Sequence, residues 1–204
     1  MEKDGKRLIL NEILAINGDN MPDIHSITVY LGATMPTNPI YVEAVRELGR
    51  KMAKRGLTLV FGGSREGTME VLADEILGNG GKAIGIFTDS LPAEFLYQGL
   101  TETTVVHDLG ERKRLMRERG DAIIALPGSF GTWDELFDAL ERSKIDMING
   151  RPPKPIGVLN INGFFDGLLS FIDHSVEEGF TAKEYASLLK SGKNVDELFT
   201  QLGL

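Results

Sequence analysis

The residues best suited to chemistry lie in Leu126 to Glu135, reading LPGSFGTWDE. Gly128 and Gly131 let the main chain turn sharply and approach a ligand closely, because no Cβ intervenes. A helix starting near Thr132 would offer free N–H donors and a partial positive charge, the needs of a phosphate. Ser129 and Thr132 add hydroxyl donors on either side of Phe130. Glu135 follows Thr132 by three residues. That spacing fits a reciprocal capping box as well as a carboxylate aimed into a site, and on spacing alone the two readings stand level.

A second glycine-rich turn, Gly62-Gly63-Ser64-Arg65-Glu66-Gly67-Thr68, follows another apolar run. Neither turn matches G-x-G-x-x-G or G-x-x-x-x-G-K-[ST], which counts against dinucleotide and Walker-type phosphate binding. Glu111-Arg112-Lys113-Arg114 is a basic cluster. Such a run is commonly a solvated helix face, but Arg112 or Lys113 at a helix start could also reach an anion on the neighbouring turn. His107 beside Asp108 reads as a hydrogen-bonded structural histidine. The three histidines, His25, His107 and His174, are far apart and lack helical ligand spacing, so no metal site is expected.

These turns need a frame to bring them together. Ile27–Leu31, Leu57–Phe61, Lys82–Phe87, Thr103–Val106, Ala122–Leu126 and Pro155–Leu159 read as six strands. Between them run amphipathic helices, over about 39–55, 67–77, 111–119 and 132–144, with later helices over 163–178 and 195–202. Short apolar strands alternating with helices imply a parallel sheet buried on both faces. The expected fold is α/β, a single Rossmann-like, doubly wound domain with helices on both faces and its ligand at the strands' carboxyl ends. Residues 26–204 form that domain. Residues 1–25 form an extension in which Leu8 to Ile16 could make a short amphipathic helix.

Composition bounds the partners. With 22 basic against 30 acidic residues, the net charge of −8 argues against nucleic-acid binding. The chain has no cysteine, so thiolate and disulfide chemistry are absent. No apolar run approaches the ~20 residues of a membrane span, and the N-terminus has no signal-peptide core, so a cytoplasmic address is expected.

With these residues in view, the sequence resembles the LOG family, the cytokinin riboside 5′-monophosphate phosphoribohydrolases often labelled lysine decarboxylases. The family's P-G-G-x-G-T-x-x-E stands here as Pro127-Gly128-Ser129-Phe130-Gly131-Thr132-Trp133-Asp134-Glu135, and its E-R-K as Glu111-Arg112-Lys113. GLTLVFGGSREGTM (Gly56 to Met69), GDAIIALPG (Gly120 to Gly128) and PIGVLNINGFFDGLLSFIDHSVEEGF (Pro155 to Phe180) extend the likeness over about three-quarters of the chain. The resemblance implies a homodimer with its nucleotide site near the interface. It also implies hydrolysis of the N-glycosidic bond of a purine nucleoside 5′-monophosphate, AMP or an N6-modified AMP, to free base and ribose 5-phosphate. By the same resemblance Arg112 and Glu135 take the catalytic positions. Lys113 and Gly128 to Thr132 take phosphate- and ribose-binding positions, Gly62, Gly63 and Ser64 join the substrate site, and Glu94 matches a base- or sugar-contacting glutamate.

The chemistry is coherent without a metal or organic cofactor. A carboxylate stabilises the positive charge that grows on the sugar as the bond breaks, and can take a proton from water. Arg112 is expected to keep that carboxylate ionised. A pyridoxal-dependent decarboxylase would need a Schiff-base lysine and a pyridinium partner, and no such pair stands out. The chain departs from the family pattern at Ser129, Glu66, Glu70, Gly110 and the polar stretch 141–154. The alternative is a non-catalytic nucleotide-binding module with an altered base pocket.

Overall fold

A computed structural model describes residues 23–204. The possible helix at Leu8 to Ile16 lies outside them. The strands are β1 (Ser26–Tyr30), β2 (Thr58–Phe61), β3 (Ala83–Thr88), β4 (Glu102–Val106), β5 (Ala122–Ala125), β6 (Ile156–Leu159) and β7 (Leu189–Gly192). The α-helices are α1 (Pro39–Lys54), α2 (Gly67–Gly78), α3 (Leu109–Arg119), α4 (Phe130–Ile148), α5 (Asp166–Glu177), α6 (Lys183–Ala186) and α7 (Val195–Leu202).

All seven strands pair in parallel in the order β4-β3-β2-β1-β5-β6-β7. This is the expected α/β Rossmann-like sheet, with one strand more than the sequence reading anticipated. Along β1, Ile27 and Val29 face one layer and Tyr30 the other, as the two-residue period of a strand requires. The first layer packs against Leu48 and Met52 of α1, Leu72 and Ile76 of α2, and Leu198 and Phe199 of α7. The second packs against Met116 of α3 and Leu136 and Ala139 of α4. Each of the leucine, isoleucine, methionine and phenylalanine side chains among them, taken fully out of water, contributes about 1.5–3 kcal/mol. Among the described residues, no helix is long and apolar enough to cross a membrane.

The chain leaves β1 toward its neighbours β2, β3 and β4, then returns to β5 on β1's other side. Helices α1 and α4 therefore depart to opposite faces, and a crevice opens at the carboxyl ends of β1 and β5. The arrangement brings the two glycine-rich turns and the start of α3 to one place.

Two boundaries differ from expectation in ways that matter. Helix α4 begins at Phe130 with Ser129 as its N-cap, so Thr132 stands inside the first turn. The capping box between Thr132 and Glu135 does not form. Helix α3 begins at Leu109, because Asp108 caps it by accepting from the Glu111 N–H at 2.7 Å. At its other end the Lys154 ammonium donates to the carbonyls of Arg117 (2.7 Å), Glu118 (3.2 Å) and Gly120. Helix α3 is thus fixed at both ends.

Candidate active site

Arg112 lies in the first turn of α3, and its guanidinium reaches back over the sheet. Its Nε donates to the Ile86 carbonyl at 2.8 Å and Nη2 to the Gly62 carbonyl at 3.0 Å. Nη1 points to Glu135 Oε1 at 3.4 Å. Gly62 explains itself here, because a Cβ at that position would collide with Nη2.

Glu135 is 8% exposed. Burial pushes its carboxyl up to about 7. The Arg112 guanidinium works against that rise, Asp134 adds to it, and Lys113 opposes it. The expectation that Arg112 keeps Glu135 ionised is corrected accordingly. At 3.4 Å the pair is too long to offset the loss of hydration, and the group is balanced between its two forms near neutral pH.

Around this pair lies a cavity of about 290 Å³. Gly62, Ser64, Ser129, Gly131 and Thr132 line it together with Arg112 and Glu135, so seven of the expected residues converge. Ser129 does not use its hydroxyl to cap α4, and the first backbone bond of the helix runs from the Trp133 N–H to the Ser129 carbonyl. The N–H groups of Phe130, Gly131 and Thr132 are left without helical partners at the mouth, which suits an anion.

Five expected residues stand elsewhere. Gly63 is buried against Gly85 with φ +71° and holds the Tyr97 N–H through its carbonyl at 2.9 Å. Gly128 sits behind the mouth, where a Cβ would strike the Thr132 hydroxyl. Phe130 is 81% exposed and packs edge-on against Trp133. Lys113 turns to Asp134 at 2.9 Å. Glu94 is exposed on the 3₁₀ turn Ala93–Phe95 and does not line the cavity, although Leu91 and Phe95 beside it do.

Sequence reasoning missed those two roof residues, and Met69 and Met116, while Glu66, read there only as a departure from the family pattern, forms part of the wall. The roof is tied down: Ser64 and Leu96 form an antiparallel bridge, and the Arg65 N–H donates to the Phe95 carbonyl at 2.7 Å. Residue spacing gave no sign of this pairing. Among the described residues no group of three or more acidic or histidine side chains is placed to hold a metal ion.

A family model described as "Possible lysine decarboxylase" matches residues 69–202. The chain is 41% identical over 167 residues to a cytokinin riboside 5′-monophosphate phosphoribohydrolase of Rhodococcoides fascians, covering 81% of this chain and 82% of that protein. It is 35% identical over 186 residues to the phosphoribohydrolase named LOG of Oryza sativa subsp. japonica, covering 91% of this chain and 75% of that one. The chain belongs to the LOG family. It is an enzyme of the phosphoribohydrolase type. Among solved structures, a molybdenum cofactor binding protein from Rippkaea orientalis is similar with a TM-score of 0.63 at 20% identity, over 91% of this chain and 98% of that one. That likeness concerns the fold alone.

Two features of this LOG-family chain follow from the geometry. Ser129 is accommodated where the family pattern has glycine because it is exposed and extended, with φ −117° and ψ −154°. Gly128 has no such room. An imine-forming chemistry of the kind the family model's description suggests would need a lysine in the cavity, and none is among the residues lining it.

Proposed function

We propose that the protein hydrolyses the N-glycosidic bond of a purine nucleoside 5′-monophosphate, AMP or an N6-modified AMP such as a cytokinin riboside monophosphate, to free base and ribose 5-phosphate. The observation that carries this reading is the Arg112–Glu135 pair at 3.4 Å, set in a cavity whose mouth is the open first turn of α4. The phosphate binds the free N–H groups of Phe130 to Thr132 and the hydroxyls of Ser129 and Thr132, with Gly128 keeping the turn tight. Lys113, released from Asp134, adds a positive charge at the rim, and Glu94 closes on the sugar or base from the roof side.

As the bond from the sugar to the base nitrogen lengthens, positive charge gathers on the sugar, and the Glu135 carboxylate opposes it at close range. The same carboxylate takes a proton from the water that adds to the sugar carbon. The base leaves with the bonding pair and receives the proton that Glu135 took from water, which restores the carboxylate. Arg112 is needed to make the ionised form of Glu135 accessible near neutral pH.

The acting species is a homodimer. Phe130, Trp133 and Phe137 lie along one exposed side of α4 at 81%, 39% and 45% exposure, next to the cavity mouth. A second copy covers this stripe, which is larger than the scattered apolar residues of an ordinary surface.

Incubating the protein with AMP and assaying adenine and ribose 5-phosphate tests the reading. Release of both products, abolished by Glu135→Gln, is expected. Binding of AMP without turnover would identify a nucleotide-binding module instead. Turnover that survives Glu135→Gln would remove Glu135 from the chemistry.

A further inference from the structure

Glu66 is half-buried in the cavity wall and is a departure from the family's usual residue at this point of the β2–α2 turn. It occupies the N-cap position of α2 in an extended conformation, yet its carboxylate accepts no hydrogen bond from the helix. Among the described residues it makes no ion pair. The adjacent Arg65 faces Glu70 at 3.7 Å instead. Arg112 is occupied by two backbone carbonyls and Glu135.

Ser64, two residues earlier, supplies an independent observation. It is 3% exposed and lines the same cavity, and among the described residues its hydroxyl has no hydrogen-bond partner, only its main chain being used in the bridge to Leu96. One wall of the cavity therefore presents a carboxylate and a hydroxyl with unused capacity. The other end presents the N–H groups of α4.

This polarity orders a nucleotide. The phosphate is repelled by Glu66 and drawn to α4, while a carboxylate without an internal donor needs O–H or N–H groups from the ligand. Met69, Leu91, Phe95 and Met116 are among the apolar residues lining the cavity, a lining that accepts a purine ring. The donors of AMP are its 6-amino group and its two ribose hydroxyls, and the neighbouring 2′- and 3′-hydroxyls match the adjacent carboxylate and hydroxyl of Glu66 and Ser64 as a pair. Resting on the phosphoribohydrolase reading above, we propose that Glu66, aided by Ser64, clamps the ribose diol and makes the enzyme select ribonucleoside over 2′-deoxyribonucleoside 5′-monophosphates.

The test compares kcat/KM for AMP and 2′-deoxy-AMP in the wild type, Glu66→Gln and Glu66→Val, with binding of both nucleotides measured by calorimetry. Taking the ratio of variant to wild type cancels the different intrinsic lability of the two glycosidic bonds. Glu66→Val is expected to lose about 10- to 100-fold on AMP and far less on 2′-deoxy-AMP, the size of a hydrogen bond to a charged group. Glu66→Gln, which keeps one acceptor, should fall between. An unchanged ratio in a variant with the wild-type melting temperature overturns the proposal. So does a changed preference between adenine and hypoxanthine 5′-monophosphates at constant ribo-to-deoxy ratio, which would assign Glu66 to the base. If the wild type hydrolyses neither these nucleotides nor an N6-modified AMP, the proposed reaction fails, and the binding ratio still decides the role of Glu66.

Discussion

Arg112 Nη1 stands 3.4 Å from Glu135 Oε1, long for a charge-assisted hydrogen bond, while the same guanidinium is held at 2.8 and 3.0 Å by two backbone carbonyls. The arginine is anchored to the sheet first and to the carboxylate second. Glu135 is left buried, underpaired and able to change protonation near neutral pH.

A carboxylate with that setting should show itself in the rate. We expect kcat/KM for AMP to rise with pH through a midpoint near the Glu135 value of about 7. At pH 8 Glu135→Gln should lower it by about 10²- to 10⁴-fold, with the gap narrowing as pH falls below 7 and the wild type loses its own carboxylate. A flat wild-type profile between pH 6 and 8 would contradict the general-base role.

Stability should move in the opposite sense. The folded state holds the Glu135 proton more tightly than the unfolded chain, whose glutamate titrates near 4.5. The folded protein therefore loses stability as pH rises from about 4.5 to 7, by on the order of 3 kcal/mol. Glu135→Gln has no proton to lose. Thermal unfolding across pH should find it more stable than the wild type at pH 8 and nearly equal at pH 4.5.

Gly62→Ala places a methyl group against Nη2 of Arg112. Displacing the guanidinium should cost about 1–3 kcal/mol of stability, as overpacking does, and most of the activity. Calorimetric unfolding and the adenine-release assay check both halves.

Ser129→Gly should be quiet for the fold. The side chain is exposed and makes no capping bond, so the change in unfolding free energy is expected to be a few tenths of a kcal/mol. Ser129→Ala is the sharper check, since a loss above about 1 kcal/mol for it in denaturant titration would mean that the hydroxyl caps α4 after all.

Trp133→Asp or Phe137→Asp should turn the proposed dimer into a monomer in sedimentation velocity. Both side chains project from the outer side of α4, so the fold is expected to survive, with far-UV circular dichroism unchanged.

Much of this was legible in the chain. Five of the six strands read are short apolar runs, with β1, β5 and β6 buried almost throughout, while β4, reading ETTVV and largely exposed, carries only β-branched residues as its signal. β7, reading LKSG, escaped because it is an edge strand that buries Leu189 and Gly192 but carries a half-buried Lys190 and Ser191. Four residues of mixed character have no period to detect. Arg112 and Glu135 were identifiable as a pair only by resemblance, since their meeting depends on β1 placing α3 and α4 side by side. Spacing could not tell that Lys113 turns outward to Asp134, or that Glu94 is exposed while its neighbours roof the cavity.

The way Arg112 is held has a consequence for how this protein can change. Two of its three partners are main-chain oxygens, of Ile86 within β3 and of Gly62 just past the end of the adjacent β2. No substitution removes a carbonyl, so the position of the cation is inherited from the strand register. Four of the positions that differ from the family pattern, Glu66, Glu70, Gly110 and Ser129, belong to the turns and helix ends around that frame. Recognition can drift from one ligand to another at these positions while the cation stays in place, so new specificities are reachable by single steps that never dismantle the existing one.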